Sequence, residues 1–219
     1  SLSPILSGTV TQTLTAEGAA QSATGMCQDQ AGNTASNTQS GINIDKTAPT
    51  GVSLVPSGTL GNNGWSTSNV TITTTGTEAV SGPLTCTGVQ SLTTDTASAT
   101  FNGSCTNLAG FTSNAAPLTL KRDATNPTIT FLNRTPANGN GWNNGDVTLN
   151  WSCTDAMSGP VDGTITQTAT AEGANQSSTA TCFDNAGNSA SDTQSGINID
   201  KTAPGIVANR TPAANANGW

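Results

Sequence analysis

Four carboxylates, Asp155, Asp162, Glu172 and Asp184, fall between residues 155 and 184. A pair of such groups flanking a glycosidic bond is a general way to hydrolyse it. The chain has no histidine, which removes every Ser–His–Asp and Cys–His arrangement of nucleophile and base. Glu172 lies in "AEG", which reads as a strand-end turn, and Asp184 lies in "DNAGN", which reads as a hairpin. Neither position is an obvious cleft, so the chain is expected not to be an enzyme. The same oxygens invite a second chemistry. Asp155, Asp184, Asn185, Asn188 and Asp200 recur along the chain as hard ligands suited to calcium. No EF-hand spacing is present, and Asx side chains also close turns through their own hydrogen bonds. Turn closure and a weak calcium set of Asp155, Asp184, Asn188 and Asp200 both stay open, with no other cofactor expected.

Tryptophan offers a third chemistry, because an exposed indole stacks on sugar rings. Trp65, Trp142 and Trp219 each end an Asn-Gly-Trp triplet and are spaced 77 residues apart. Such spacing favours packing against one recurring feature, with glycan stacking as the alternative. Asn-x-Ser/Thr sequons stand at Asn69, Asn102, Asn133, Asn150, Asn175 and Asn209. They are candidate glycosylation sites in a Thr/Ser-rich chain where several arise by chance.

What must position these residues is a repeat. "SGINIDKTAP" occupies residues 40–49 and again 195–204, and the echo extends without a gap from 8–49 to 163–204, an offset of 155. The tryptophan spacing shows a shorter unit of about 77 residues, two of which make the longer offset. In "DVTLNWSC", Val147, Leu149, Trp151 and Cys153 share one parity and Thr148, Asn150 and Ser152 the other. That alternation marks a half-buried strand whose inward side carries Trp151. "PTITF", "SGINID" and "PLTLK" alternate in the same way. No stretch has helical periodicity, so each unit reads as six or seven short strands in a two-sheet sandwich. "DQAGN" and "DNAGN" supply the glycine that a hairpin turn demands. "DKTAP" reads as a joint whose proline opens the next unit's first strand, where no ladder donor is needed. Of the three joints, "KRDATNP" (121–127) is the longest and is expected to flex most.

Taken together, "DKTAP", "NGW", "DVTLNWSCTDAMSGP" and "TCFDNAGN" resemble the tandem immunoglobulin-like repeats of bacterial secreted and cell-surface proteins. The resemblance spans essentially the whole chain and implies an all-β fold of tandem immunoglobulin-like β-sandwich repeats in an extended array. It also implies a bond between Cys153 and Cys182, on facing strands of opposite sheets. Cys27 aligns with Cys182, and its partner is expected outside this segment. In the middle unit Gly76 stands at the place of Cys153, and Cys86 is new. Cys105 matches Cys182, so a shifted Cys86–Cys105 bond is expected. The absence of CxxC spacing and of histidine argues against a metal role for these five cysteines.

The expected boundaries are a partial repeat at 1–48 lacking its first two strands, a divergent repeat at 49–126, a repeat at 127–203, and the first strand of a further repeat at 204–219. The opening residues lack a basic signal-peptide region and align with mid-repeat, so a longer continuous array is expected, with a processed, strand-exchanging subunit as the rival. Six basic against thirteen acidic residues give a net charge of −7, unsuited to nucleic acid. No apolar run reaches the ~20 residues of a membrane helix. Disulfides place the chain outside the cell or on its surface. The function that the resemblance implies is structural, a stalk, fibre or filament whose partners are neighbouring repeats or copies of itself, head to tail. An adhesin or carbohydrate-binding segment engaging surface glycans, or an accessory module of a secreted enzyme, is the alternative.

Overall fold

A computed structural model describes residues 3–6, 9–209, 211 and 214–219. The described residues are all-β, with no helix, and the chain divides into two compact units, Ser1–Ala124 and Thr125–Trp219.

The first unit opens with a hairpin, β1 (Gly18–Gln28) and β2 (Thr34–Ile44). Gly32 turns the chain between them at φ 90°, a conformation that glycine adopts without a Cβ clash. Three small sheets follow. One holds β3 (Thr50–Ser57), which opens directly after Pro49. The next strand, β4 (Trp65–Ser66), is two residues long, and β5 (Val70–Thr77) joins β3. β6 (Thr85–Cys86) and β7 (Gln90–Leu92) are short, and β7 completes the sheet β3-β5-β7. β8 (Thr96–Phe101), β9 (Ser104–Thr106), β10 (Thr112–Asn114) and β11 (Leu118–Arg122) complete the sheets β4-β11-β8 and β10-β9-β6. Alternation selects the core. Val70, Ile72 and Leu92 are buried, with Leu54, Ala99, Phe101, Leu118 and Leu120 packed against them from both layers.

In the second unit β12 (Thr128–Arg134), β13 (Val147–Thr154) and β14 (Thr164–Ala169) form one antiparallel sheet, and β15 (Gly173–Phe183) with β16 (Ser189–Ile199) form the other. Val147, Leu149 and Trp151 of β13 pack on Ala180, Ile197 and Ile199, so the inward parity of β13 fills the space between two layers. Trp151 is fully buried; its Nε1 donates to Asp192 Oδ2 at 2.7 Å, and Phe131 meets it edge-on at 5.5 Å. A buried indole N–H needs such an acceptor.

Strand number differs from the expected six or seven. Residues 127–203 hold five strands, two of them 11 residues long, whereas residues 49–126 hold nine, several only two or three long. The long strands persist because β15 and β16 absorb their irregularity in a bulge at Asn175, which takes φ 55°, rather than breaking. The joint at 121–127 is also shorter than expected. Lys121 and Arg122 belong to β11, and Arg122 is held by Asp95, by Ser68 O at 3.1 Å and by Asn69 Oδ1 at 2.9 Å.

Candidate functional site: turns, joints and disulfides

Asp184 sits in the β15–β16 turn with its carboxylate buried. Its Oδ1 accepts the backbone N–H groups of Gly187 and Asn188 at 2.7 and 2.8 Å, and Oδ2 accepts Asn188 Nδ2 at 2.7 Å. Asp29 repeats the arrangement with Ala31, Asn33 and the Asn33 amide, each at 2.9 Å. The Asn33 side chain, then its backbone N–H, pulls the Asp29 pKa down to about 2. Bonds to the ionised form favour it. Asp155 Oδ1 accepts Met157 N at 3.0 Å and Gly159 N at 2.8 Å, while Asn185 Nδ2 donates to Ser158 O and Gly159 O at 3.0 and 3.1 Å. The two loops therefore latch together, and the Asp155 and Asp184 carboxylates approach within 4.8 Å.

The rest of both carboxylate sets lies elsewhere. Asp200 is exposed, accepts Thr202 N at 3.0 Å and bonds Asn143 through its backbone. Asn143 precedes β13 and Asp155 follows it, so Asp200 is at the opposite end of a strand roughly 25 Å long. Glu172 lies at that same end, its Oε1 accepting Lys201 N at 2.6 Å and Thr202 Oγ1 at 3.1 Å. Asp162 is exposed. Of the calcium set, Asp155, Asp184 and Asn188 are brought together and Asp200 is not.

The joint between the first two repeats is a polar clasp that sequence reasoning missed. Asp45 accepts Ser81 Oγ and Asn107 Nδ2, the latter at 3.0 Å. The Asn107 amide also faces Glu78 Oε2 at 2.9 Å and Thr47 O at 3.0 Å, and its Oδ1 accepts Phe111 N at 2.9 Å. Only 4% of Asn107 is exposed. The Ser81 hydroxyl, then the Thr47 backbone N–H, lowers the Asp45 pKa; Val80 N–H and then the Asn107 amide lower that of Glu78. The available signal was the repeat register, which aligns Glu78 with Asp155 and Asn107 with Asp184. A second clasp recurs unchanged, since Glu17 Oε1 accepts Lys46 N at 2.7 Å just as Glu172 accepts Lys201 N.

The tryptophans are not equivalent. Trp65 is buried beneath Lys121, whose Nζ lies 4.9 Å from the ring centroid and donates to Asn63 O at 2.8 Å. Register places Asn198 where Lys121 stands, and Asn198 bonds Gly141 O at 2.9 Å. Trp142 is 37% exposed and Trp219 90% exposed. Lacking a long side chain to cover it, Trp142 borders a concavity of about 360 Å³ lined by Thr135, Asn138, Asn143, Asn144 and Asp146. Its turn is firm, with Asn138 Oδ1 accepting Asn140 N at 2.9 Å and Trp142 N at 3.1 Å.

Sequons differ in accessibility too. Asn69, Asn102, Asn133, Asn175 and Asn209 are exposed, whereas Asn150 is half-buried in mid-sheet. The Asn150 amide donates to Asn133 Oδ1 at 3.0 Å and accepts Thr166 Oγ1 at 2.8 Å.

Cys153 on β13 is bonded to Cys182 on β15 across the two layers, with Cα atoms 5.8 Å apart. Cys86 and Cys105 are bonded rung to rung between β6 and β9, with Cα atoms 4.0 Å apart. A Cβ added to Gly76 would lie 3.3 Å from Cys105 Sγ and 3.1 Å from Val52 Cγ2. Glycine at the place of Cys153 thus makes room for the shifted bond. Cys27 is half-buried and free. Two disulfides point to an oxidising compartment, and among the described residues no helix is long and apolar enough to cross a membrane. No protein-family model and no curated protein sequence matches the chain.

Proposed function

We propose that the chain is a structural segment of an extracellular or cell-surface stalk, fibre or filament, built of tandem immunoglobulin-like sandwich repeats and not an enzyme. The observation that carries this reading is the joint. Identical "DKTAP" segments meet the same Glu clasp at 2.7 and 2.6 Å, and the first is gripped again by Ser81 and Asn107. Linkers held this firmly transmit load and orientation from one unit to the next, which a free tether does not. Staples within each sandwich support the same role, because a unit of about 77 residues buries little core. Small-angle scattering of chains carrying increasing numbers of units should give a rod-like profile whose length scales with unit number. A compact profile overturns the reading.

One observation favours a second reading, a carbohydrate-binding or adhesive segment. Trp142 presents an indole beside amide and carboxylate side chains around an open concavity, the combination that stacks on and hydrogen-bonds a sugar. Saturable binding on a glycan array, abolished by Trp142→Ala, would decide for it. An accessory role beside a catalytic domain is the third reading, tested by expression with neighbouring gene segments.

A further inference from the structure

In each unit the disulfide stands at the foot of the same two loops. In the second unit Cys153 is two residues before Asp155 and Cys182 two before Asp184, and these are the loops that Asn185 latches together. In the first, Cys105 is two residues before Asn107, but Gly76 holds the place two before Glu78. Cys86 lies at the far foot of that loop instead, beyond Ser81 and Pro83. The bond has moved along the chain and still ties the loop at 78–84 to the turn at 107–111. These are the two halves of the polar clasp. Glu78 and Ser81 come from the loop, Asn107 comes from the turn, and Asp45 is bonded to both. Leu108 N donates to Ser81 O at 2.9 Å, which closes one half on the other.

Little besides the disulfide holds the two feet together. β6 is a two-residue edge strand that meets β9 only at Thr85–Thr106 and Cys86–Cys105, with Thr87 N donating beyond it to Ser104 O at 2.8 Å. Access to the two bonds also differs. Cys86 is half-buried, whereas Cys153 is 2% exposed and Cys182 is fully buried.

We propose that Cys86–Cys105 is a redox-sensitive lock on the joint at 45–49. A dithiol, small or carried by an oxidoreductase, opens it and lets the loop at 78–84 part from Asn107, while Cys153–Cys182 stays closed. The dithiol's thiolate attacks Cys86 Sγ, because Cys105 is fully buried and exchange requires access to the sulfur. A bond forms there as the Cys86–Cys105 bond breaks, and Cys105 leaves as a thiolate that takes up a proton. The second thiol of the reductant then displaces Cys86, so the dithiol ends as a disulfide and both cysteines end as thiols. Glu17 still holds Lys46 N, so opening loosens the joint without severing it.

The test uses the whole 219-residue chain, with Cys27 alkylated beforehand, reduced by dithiothreitol and followed by thiol labelling and hydrogen exchange. Cys86 and Cys105 should become labelled at least ~10-fold faster than Cys153 and Cys182. Amide exchange at Leu108 and Thr47 should rise at least ~10-fold, with β5 still protected, and reoxidation should restore the first state. The double variant Cys86→Ala/Cys105→Ala should behave as the reduced chain. Equal labelling of the two pairs, or unchanged exchange at Leu108 and Thr47 after reduction, would overturn the lock. So would loss of protection in β5 at the same time, because the bond would then be a staple of the fold. Any effect on array stiffness rests on the stalk reading, but the lock does not. Rod-like scattering with no change at Leu108 and Thr47 defeats the lock alone, and their release in a compact particle defeats the stalk alone.

Discussion

Thr74 is the one described residue whose buried side-chain oxygen has no hydrogen-bond partner. In register it stands where Trp151 fills the second unit's core, so the smaller hydroxyl side chain leaves its polar atom among apolar neighbours. Thr74→Val removes an unsatisfied oxygen and should stabilise the first unit by about 1–2 kcal/mol, read by denaturant melts. A loss of stability would mean that the hydroxyl has a partner after all. Gly76→Ala should act oppositely and cost about 1–3 kcal/mol, since the added methyl has Val52, Leu84 and Cys105 within 3.3 Å. Acid acts at this scale too. Bonds from Gln194 and then from Trp151 hold the Asp192 carboxyl below the ordinary aspartate range. A depressed folded pKa contributes stability above the unfolded value, and that contribution is lost as pH falls through the folded one. Second-unit stability measured by tryptophan fluorescence should therefore fall below about pH 4 more steeply in the wild type than in Asp192→Asn. Identical slopes would remove Asp192 from the account.

At the scale of elements, the two disulfides staple different things. Cys153–Cys182 spans 29 residues and ties the two layers, while Cys86–Cys105 spans 19 and ties neighbouring strands of one sheet. Loop-closure entropy assigns each roughly 3–4 kcal/mol. Cys182→Ser should lower second-unit stability by about that amount and leave the first unit's melting unchanged, which differential scanning calorimetry can separate. Unchanged melting of the second unit would show that the core around Trp151 suffices alone. The short strands β6, β9 and β10 have few ladder bonds to hold them, so reduction of Cys86–Cys105 should be seen first as faster amide exchange there.

For the molecule as a whole the joints decide most. Asn107 supplies one amide to three acceptors, Asp45, Thr47 O and Glu78. Asn107→Ala should release the joint at residues 45–49 to limited proteolysis and raise its amide exchange, with the core of the first unit intact. It also leaves two carboxylates facing each other without a donor between them. Because Asp45 and Glu78 both have lowered pKa values, acidification should loosen the wild-type joint in the same way as pH falls through those depressed values. Persistent protection of residues 45–49 in the variant would show that the Glu17 clasp alone holds the joint.

Much of this was legible from residue order. Alternation along β13 and β12, the glycines of the hairpin turns and the 77-residue register are local properties, and the bonds Cys153–Cys182 and Cys86–Cys105 are the ones expected from the resemblance and from the alignment of Cys105 with Cys182. Strand number in the divergent repeat was not legible, because two- and three-residue strands have no period to read. The Asn107 clasp and the burial of Trp65 beneath Lys121 were hidden too, since each joins residues about 60 positions apart. The clearest division lies between "TVTQTL" and "TITQTA". The order of residues makes both able to be strands, but only 164–169 is one. A strand's backbone N–H and C=O groups are satisfied by a neighbour rather than by the strand itself, so 164–169 is a strand because β13 pairs with it along its length, a contact that residue order does not display and only the tertiary structure supplies.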